Sequence, residues 1–237
     1  MQKILGYMRK AIQQYDMIDD GDHIGVGVSG GKDSMILLSG LYQLRKFIGI
    51  EFEITAITID PYFSGTAGDY SEISSFCNNI GIQHHILPTH IGEIVFDIRN
   101  EKNPCSLCAR MRRGALHGCA GKLGCTKIAL GHNFDDTVET FIMNLFTEGR
   151  IGCYSPVTVL EDKNLTVIRP LVLAPEKDIR RAAKNLPIMK SACPADGHTN
   201  RQQTKELIAR LERENHGIKQ RIFGAIQRSG IDGWGIK

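Results

Sequence analysis

With 237 residues, 42% of them hydrophobic and 23% charged, the chain holds enough apolar material for one sizeable core and lies far from a disordered composition. The net charge of +3 is unevenly placed: from Lys177 onward there are 13 lysines and arginines against 6 acidic residues. A basic C-terminal third behind a mildly acidic body points to a polyanion partner, with a solvated helix face as the plainer alternative.

No apolar run approaches bilayer length, and the segment Met1–Lys10 lacks the pattern of a secretory signal. The expected location is cytoplasmic, with no membrane partner. Seven cysteines, an odd number without a secretory signal, argue against a disulfide framework and leave reduced thiols for metal or catalysis.

In chain order, Ile4, Leu5, Met8, Ile12 and Tyr15 give residues 1–18 a helical period. Ile24–Val28 reads as a short buried strand, followed at once by a glycine-rich turn and a helix over Met35–Leu44. A second strand spans 52–59 and ends at Asp60-Pro61. A helix near 69–80 leads to a strand around His84–Leu87. Another helix starts at Pro104-Cys105. Lys127–Leu130 is a fourth strand and Thr137–Phe146 the helix after it. This alternation predicts a doubly wound, mainly parallel α/β sheet, with ligands beyond the carboxyl ends of the strands. Past residue 170 the pattern turns helical, over Glu176–Lys184 and from Asn200 onward. We therefore expect an α/β domain over 1–170 and a small, basic, helical region over 171–237.

The turn after the first strand reads Ser29-Gly30-Gly31-Lys32-Asp33-Ser34. A glycine pair between strand and helix lets several backbone N–H groups converge at a helix N-terminus, which suits phosphate. Lys32 adds a mobile cation and Ser34 a hydroxyl. The spacing is not a Walker loop, since Val26 stands at its first glycine position and Asp33 at its final hydroxyl position. After the fourth strand comes Gly131-His132-Asn133-Phe134-Asp135-Asp136, with Glu139 three residues on. Asp136 and Glu139 share a helix face and suit Mg²⁺ with its waters. Asp135 is read as structural, a cap for its own helix.

Cys105 and Cys108 lie one turn apart at a helix start, where the helix dipole and Arg110, Arg112 and Arg113 favour thiolates. By itself the pair suits zinc, iron–sulfur or redox chemistry. Cys77, Cys119, Cys125 and Cys153 read as small buried hydrophobes. Histidines 84, 85, 90, 117 and 216 read as ordinary side chains.

Ser-Gly-Gly-Lys-Asp-Ser resembles the PP-loop of ATP pyrophosphatases, which cleave ATP between the α and β phosphates. Together with Gly-His-Asn-Phe-Asp-Asp and Pro-Cys-Ser-Leu-Cys-Ala-Arg-Met-Arg-Arg, it makes the chain resemble the tRNA 2-thiocytidine synthetase family over residues 1–228. That resemblance implies an ATP-dependent tRNA sulfurtransferase. It binds nucleotide through Ser29–Ser34, Asp60, Gly131, His132 and Asp136, with Lys32, Asp33, Asp136 and Arg112 in the chemistry. It implies a [4Fe-4S] cluster on Cys105, Cys108 and Cys193, with ATP and Mg²⁺ as cofactors. The implied partners are tRNA and a sulfur donor, a cysteine desulfurase or sulfide. A homodimer is left open. The chain departs from the family where relatives carry a second Cys-x-x-Cys, having Asp196 instead. Zinc on Cys105, Cys108, Cys193 and His198 is the rival site, and a small-molecule thiolase or a non-catalytic relic the rival function.

The basic residues Arg201, Lys205, Arg210 and Arg213, and then Lys219, Arg221 and Arg228, are expected to track an RNA backbone.

Overall fold

Asp22–Gly27 (β1) carries Ile24 and Val26, both fully buried, between small residues that let helices approach from either face. In the computed structural model, which describes residues 1–99, 104–190, 192–194 and 200–235, this strand is the centre of the sheet. Phe52–Asp60 (β2) and Gln83–Pro88 (β3) follow on one side. Lys127–Ala129 (β4), Leu165–Ile168 (β6) and Val157–Leu160 (β5) follow on the other. The resulting six-stranded order is β3-β2-β1-β4-β6-β5. All pairings are parallel except β5 with β6. The strand order therefore reverses between β1 and β4, where Val26 stands opposite Ala129. At such a switch point the two following loops part and leave a crevice for ligand. The β5–β6 hairpin is absent from the sequence reading. Its strands are four residues each, too short for a period to declare itself.

The helices fall close to the expected places: Lys32–Leu44 (α2), Ser71–Asn79 (α3), Pro104–Lys122 (α4) and Phe134–Met143 (α5). The first helix, Gln2–Gln14 (α1), is shorter than predicted. It stops because Asp16 adopts a left-handed φ of 46°. Beyond the sheet come Glu176–Ala182 (α6), Asn200–Glu214 (α7) and Ile218–Ser229 (α8). One apolar cluster joins Ile4, Met8 and Leu41 to Ile179, Ile208, Phe223 and Trp234. Trp234 meets Tyr15 edge-on at 5.8 Å and donates its indole N–H to the Tyr154 carbonyl at 2.8 Å. Residues on both sides of position 170 thus contribute to the same core. No helix among the described residues is long and apolar enough to cross a membrane.

Candidate active site

The loop leaving β1 is held by its own side chains. Ser34 Oγ donates to the Gly31 carbonyl at 2.9 Å and accepts the Ser29 N–H at 3.2 Å, while Ser29 Oγ accepts the Gly31 N–H at 3.4 Å. Gly30 has φ of +80°, and a Cβ there would also lie 2.9 Å from Met189 Sδ. Met189 N–H bonds the Gly30 carbonyl at 3.0 Å, so the strap that leads to Cys193 is fastened directly to the phosphate loop. From β4, Gly131 presses against the same loop: a Cβ on it would lie 3.0 Å from the Asp33 backbone carbon. The two glycine-bearing loops pack as one wall; an alanine at Gly131 would force them apart, and one at Gly30 would push Met189 off the phosphate loop.

Between them opens a cavity of about 470 Å³ lined by Ser29, Asp33, Ser34, Gly131 and His132, with Ile57 and Ile59 of β2 below and Arg112 of α4 across from them. His132 is neutral, its imidazole driven down to about 3 by burial and by the nearby Arg169 and Arg201. Asp60, at the carboxyl end of β2, accepts the N–H groups of Tyr62 and Gly68, each at 3.0 Å. Its carboxylate organises the loop that follows β2.

On the other flank of Lys32 lies a smaller polar cavity of about 310 Å³. Lys32 pairs with Asp33 at 2.8 Å and with Glu176 at 3.0 Å. Burial opposes the Lys32 charge, but these two partners outweigh it and raise the ammonium above its ordinary range. Asn133 donates to Asp33 at 2.9 Å and caps α5 in a reciprocal box with Asp136. The expected cap, Asp135, does something else. It accepts the Glu176 N–H at 2.7 Å and Lys219 Nζ at 2.6 Å, tying α5 to α6 and α8. A side chain inside the first turn points away from the orphan N–H groups that the residue before the helix can reach.

Asp136 and Glu139 share a face, as their spacing requires, and both meet Arg201 of α7, at 3.1 and 3.3 Å. Burial raises both carboxyls above their usual range even though Arg201 pulls the other way. A guanidinium thus stands where a cation is wanted, and the donor set of hard oxygens fits Mg²⁺. This corrects the RNA-facing expectation for three cations. Arg201, Lys205 (3.0 Å from Glu176) and Lys219 all turn inward to carboxylates. Arg210, Arg213 and Arg228 are exposed.

The thiol expectation is also corrected in part. Burial pushes Cys108 up, Arg112 opposes the shift, and Cys193 and Cys105 add to it. The dipole of α4 and its arginines do not overcome desolvation. Cys105 of α4 and Cys193 of the segment 192–194 are both near enough to Cys108 for their charge to act on it. Among the described residues no group of His, Cys, Asp or Glu is tight enough for a single metal ion. Three sulfur donors are the ligand type of an iron–sulfur cluster. Asp196 and His198, named above, lie outside the described residues. Cys77 and Cys125 are pushed up to about 11 and Cys153 to about 12, each chiefly by burial; Cys119 is half-buried and raised for the same reason.

Sequence reasoning missed Glu176 and Arg201 as partners of the loop and of the acidic pair, because both arrive from the far end of the chain. It also missed Asn133, although the Asn-x-x-Asp spacing of a capping box was in view.

Comparison with known proteins agrees with this geometry. The PP-loop domain model matches residues 5–215. The tRNA-cytidine(32) 2-sulfurtransferase of Geobacter sulfurreducens is 38% identical over 232 residues, covering 94% of this chain and 88% of the relative. That of Shewanella pealeana is also 38% identical, covering 94% and 74%. Among solved structures, the U34-tRNA thiolase NcsA from Methanococcus maripaludis with its [4Fe-4S] cluster superposes with a TM-score of 0.77 at 26% identity, covering 94% of this chain and 77% of that one. A phosphate loop of PP type at the sheet's switch point and similarity along nearly the full chain lead to one assignment: the chain belongs to the PP-loop family and, within it, to the tRNA-cytidine(32) 2-sulfurtransferase family.

Proposed function

We propose that this chain adenylates the 2-oxo group of a tRNA cytidine, at position 32 as in its named relatives, and exchanges that oxygen for sulfur. The observation that carries the reading is Arg112. It lines the phosphate-loop cavity, and its charge also pulls the Cys108 thiol down against burial, so one side chain acts on both the nucleotide site and the thiols.

ATP lies with its phosphates on the amides of Ser29–Ser34. The 2-oxo oxygen attacks the α-phosphorus, a new P–O bond forms, the bond to the β-phosphate breaks, and pyrophosphate leaves. Lys32 follows the charge that grows on the phosphates, and the loop amides meet it without reorganisation. Asp136 and Glu139 would hold Mg²⁺, which neutralises phosphate charge, and Asp33 lies beside Lys32 on the same side. Cys105, Cys108 and Cys193 would hold the [4Fe-4S] cluster, which supplies an iron free of protein ligands for carrying sulfide. Arg112 offsets the negative charge of the adenylated base while sulfur takes the oxygen's place on C2 and AMP departs. A cysteine desulfurase or free sulfide is the sulfur source, and the reaction belongs in the cytoplasm with its tRNA. The region 171–237 acts as the RNA-facing part, and Asp60 serves the nucleotide only by shaping the loop after β2.

The test is an anaerobic reaction of the iron-loaded protein with unmodified tRNA transcript, ATP and sulfide, read by nucleoside mass spectrometry. We expect 2-thiocytidine with stoichiometric AMP and pyrophosphate. ADP and phosphate as products, or sulfur on another base, would refute it.

A further inference from the structure

Beside the nucleotide cavity lies a second depression of about 400 Å³, between α4 and the β5–β6 hairpin. The two are neighbours, since Arg113 and Leu130 belong to both linings. Three cations, Arg113, Lys163 and Arg169, face this space against one carboxylate, Asp162. His117 enters it from α4. Its Nε2 is buried without a hydrogen-bond partner, and so is Nε of Arg169. These side chains are only 7% and 9% exposed. Arg169 is clamped in place, with Nη1 donating to the Ser155 carbonyl at 2.6 Å and to Thr158 Oγ1 at 3.1 Å. Burial, together with Lys163, Arg113 and Arg169, holds His117 below its usual range. Positive charge is therefore gathered here in excess, three cations against one carboxylate, in front of two buried polar groups that lack partners. Such an arrangement costs stability unless an acceptor with several oxygens fills it.

We propose that this depression is a second phosphate site that takes a backbone phosphodiester of the substrate RNA while the target base occupies the adjacent cavity. The inference rests on the tRNA function proposed above. A nucleotide whose base enters one cavity trails its own phosphates past the shared wall, and a cation-lined hollow beyond Arg113 meets them. Free pyrophosphate is the other source of the same chemistry, and the experiment separates the two.

Unmodified tRNA transcript and, separately, inorganic pyrophosphate are titrated against the iron-loaded wild type, K163E and H117L, between about 50 and 200 mM salt. Lys163 is exposed, so K163E leaves the fold intact. H117L removes the orphan nitrogen and is expected to raise the melting temperature while weakening RNA binding. We expect both variants to bind tRNA at least about fivefold more weakly, with the salt slope of K163E reduced by about one. Pyrophosphate affinity and tRNA-independent ATP binding should be unchanged. Wild-type RNA affinity and slope in both variants would overturn the site. Weakened pyrophosphate binding with intact RNA binding would overturn the RNA assignment in favour of the free anion. A wild type with no affinity for tRNA would instead bring down the functional reading itself, and this site with it.

Discussion

The phosphate loop and the three cysteines proposed for the cluster are built in opposite ways. The loop is local. Its hydroxyls and amides bond one another within Ser29–Ser34, and its shape follows from six consecutive residues. The cysteine site is assembled at long range, from the first turn of α4 and a strap that arrives after the whole sheet is complete. What fixes the strap is Met189, bonded to and packed on Gly30. Damage to the thiols should therefore leave the loop working, whereas damage at Gly30 should reach the thiols through Met189.

The largest expected effect separates the two halves. Serine at any one of Cys105, Cys108 or Cys193 should bring iron content and thiolation to background, while ATP is still bound through the phosphate loop. C119S should keep both iron and thiolation. Elemental analysis, visible absorption and nucleoside mass spectrometry read the outcome. Stoichiometric zinc without iron in the wild type would remove the cluster from the account.

The converse variant, K32A, should lower pyrophosphate release by about 10²–10³-fold, the usual worth of one group that stabilises charge in a transition state. Its iron content and absorption should match wild type. A fall in iron would mean that the halves are coupled more tightly than their separate construction implies.

Glu176 offers a smaller and sharper probe. It bridges Lys32 and Lys205, each at 3.0 Å, and so sets where the loop's cation rests. E176Q keeps the shape and weakens both bonds, so kcat for AMP formation should fall about tenfold with a smaller change in KM. The acid limb of stability should change too. Burial disfavours the Glu176 charge, but the bonds to Lys32 and Lys205 win and hold the carboxyl from 4.5 down to about 2. A depressed carboxyl contributes stability that is present above its ordinary value and is lost as pH falls toward the folded one. Wild type should thus lose about 1–2 kcal/mol, after allowance for solvent screening, between pH 4.5 and 2, and E176Q should lack that loss. Denaturant unfolding at pH 7, 4 and 3 checks it.

What could be read in the residues beforehand follows the same division. The phosphate loop, the parallel sheet and the shared face of Asp136 and Glu139 are properties of short segments, where strand–turn–helix order and helical spacing dictate the outcome. Lys219 reaches Asp135 across 84 residues of chain, Arg201 reaches Glu139 across 62, and the Glu176 N–H reaches Asp135 across 41. No period or motif announces such partners. The inward turn of the basic residues had the same cause. Charge counted along the chain looked like an RNA surface, yet the carboxylates it answers were folded underneath it. The Cys108 thiol is pushed up where the arginines led us to expect it lowered, for a related reason, since burial cannot be counted from neighbouring arginines in sequence.

The smallest expected effect concerns the cations that remain outside. Arg210 and Arg213 are exposed on α7, whereas Arg201 and Lys205 of the same helix are committed to Asp136, Glu139 and Glu176. If α7 faces RNA, its outer arginines contact phosphates and release counterions, so their contribution is modest and depends on salt. Charge reversal in the double variant R210E/R213E should weaken tRNA binding about tenfold at low salt and reduce the log–log salt slope by about one to two. ATP binding and iron content should be unaffected, because neither side chain is bonded to the loop or the thiols. The comparison with R201E is what gives the test its edge. Arg201 holds the buried Glu139 and the half-buried Asp136, so its reversal places like charges together and should destabilise the fold as well as the nucleotide site. Equal effects of the two variants on tRNA alone would mean that α7 presents all its cations to RNA and that the inward pairs open on binding. No effect of R210E/R213E on tRNA affinity or salt slope would instead remove α7 from the RNA surface and favour a thiolase acting on a small molecule.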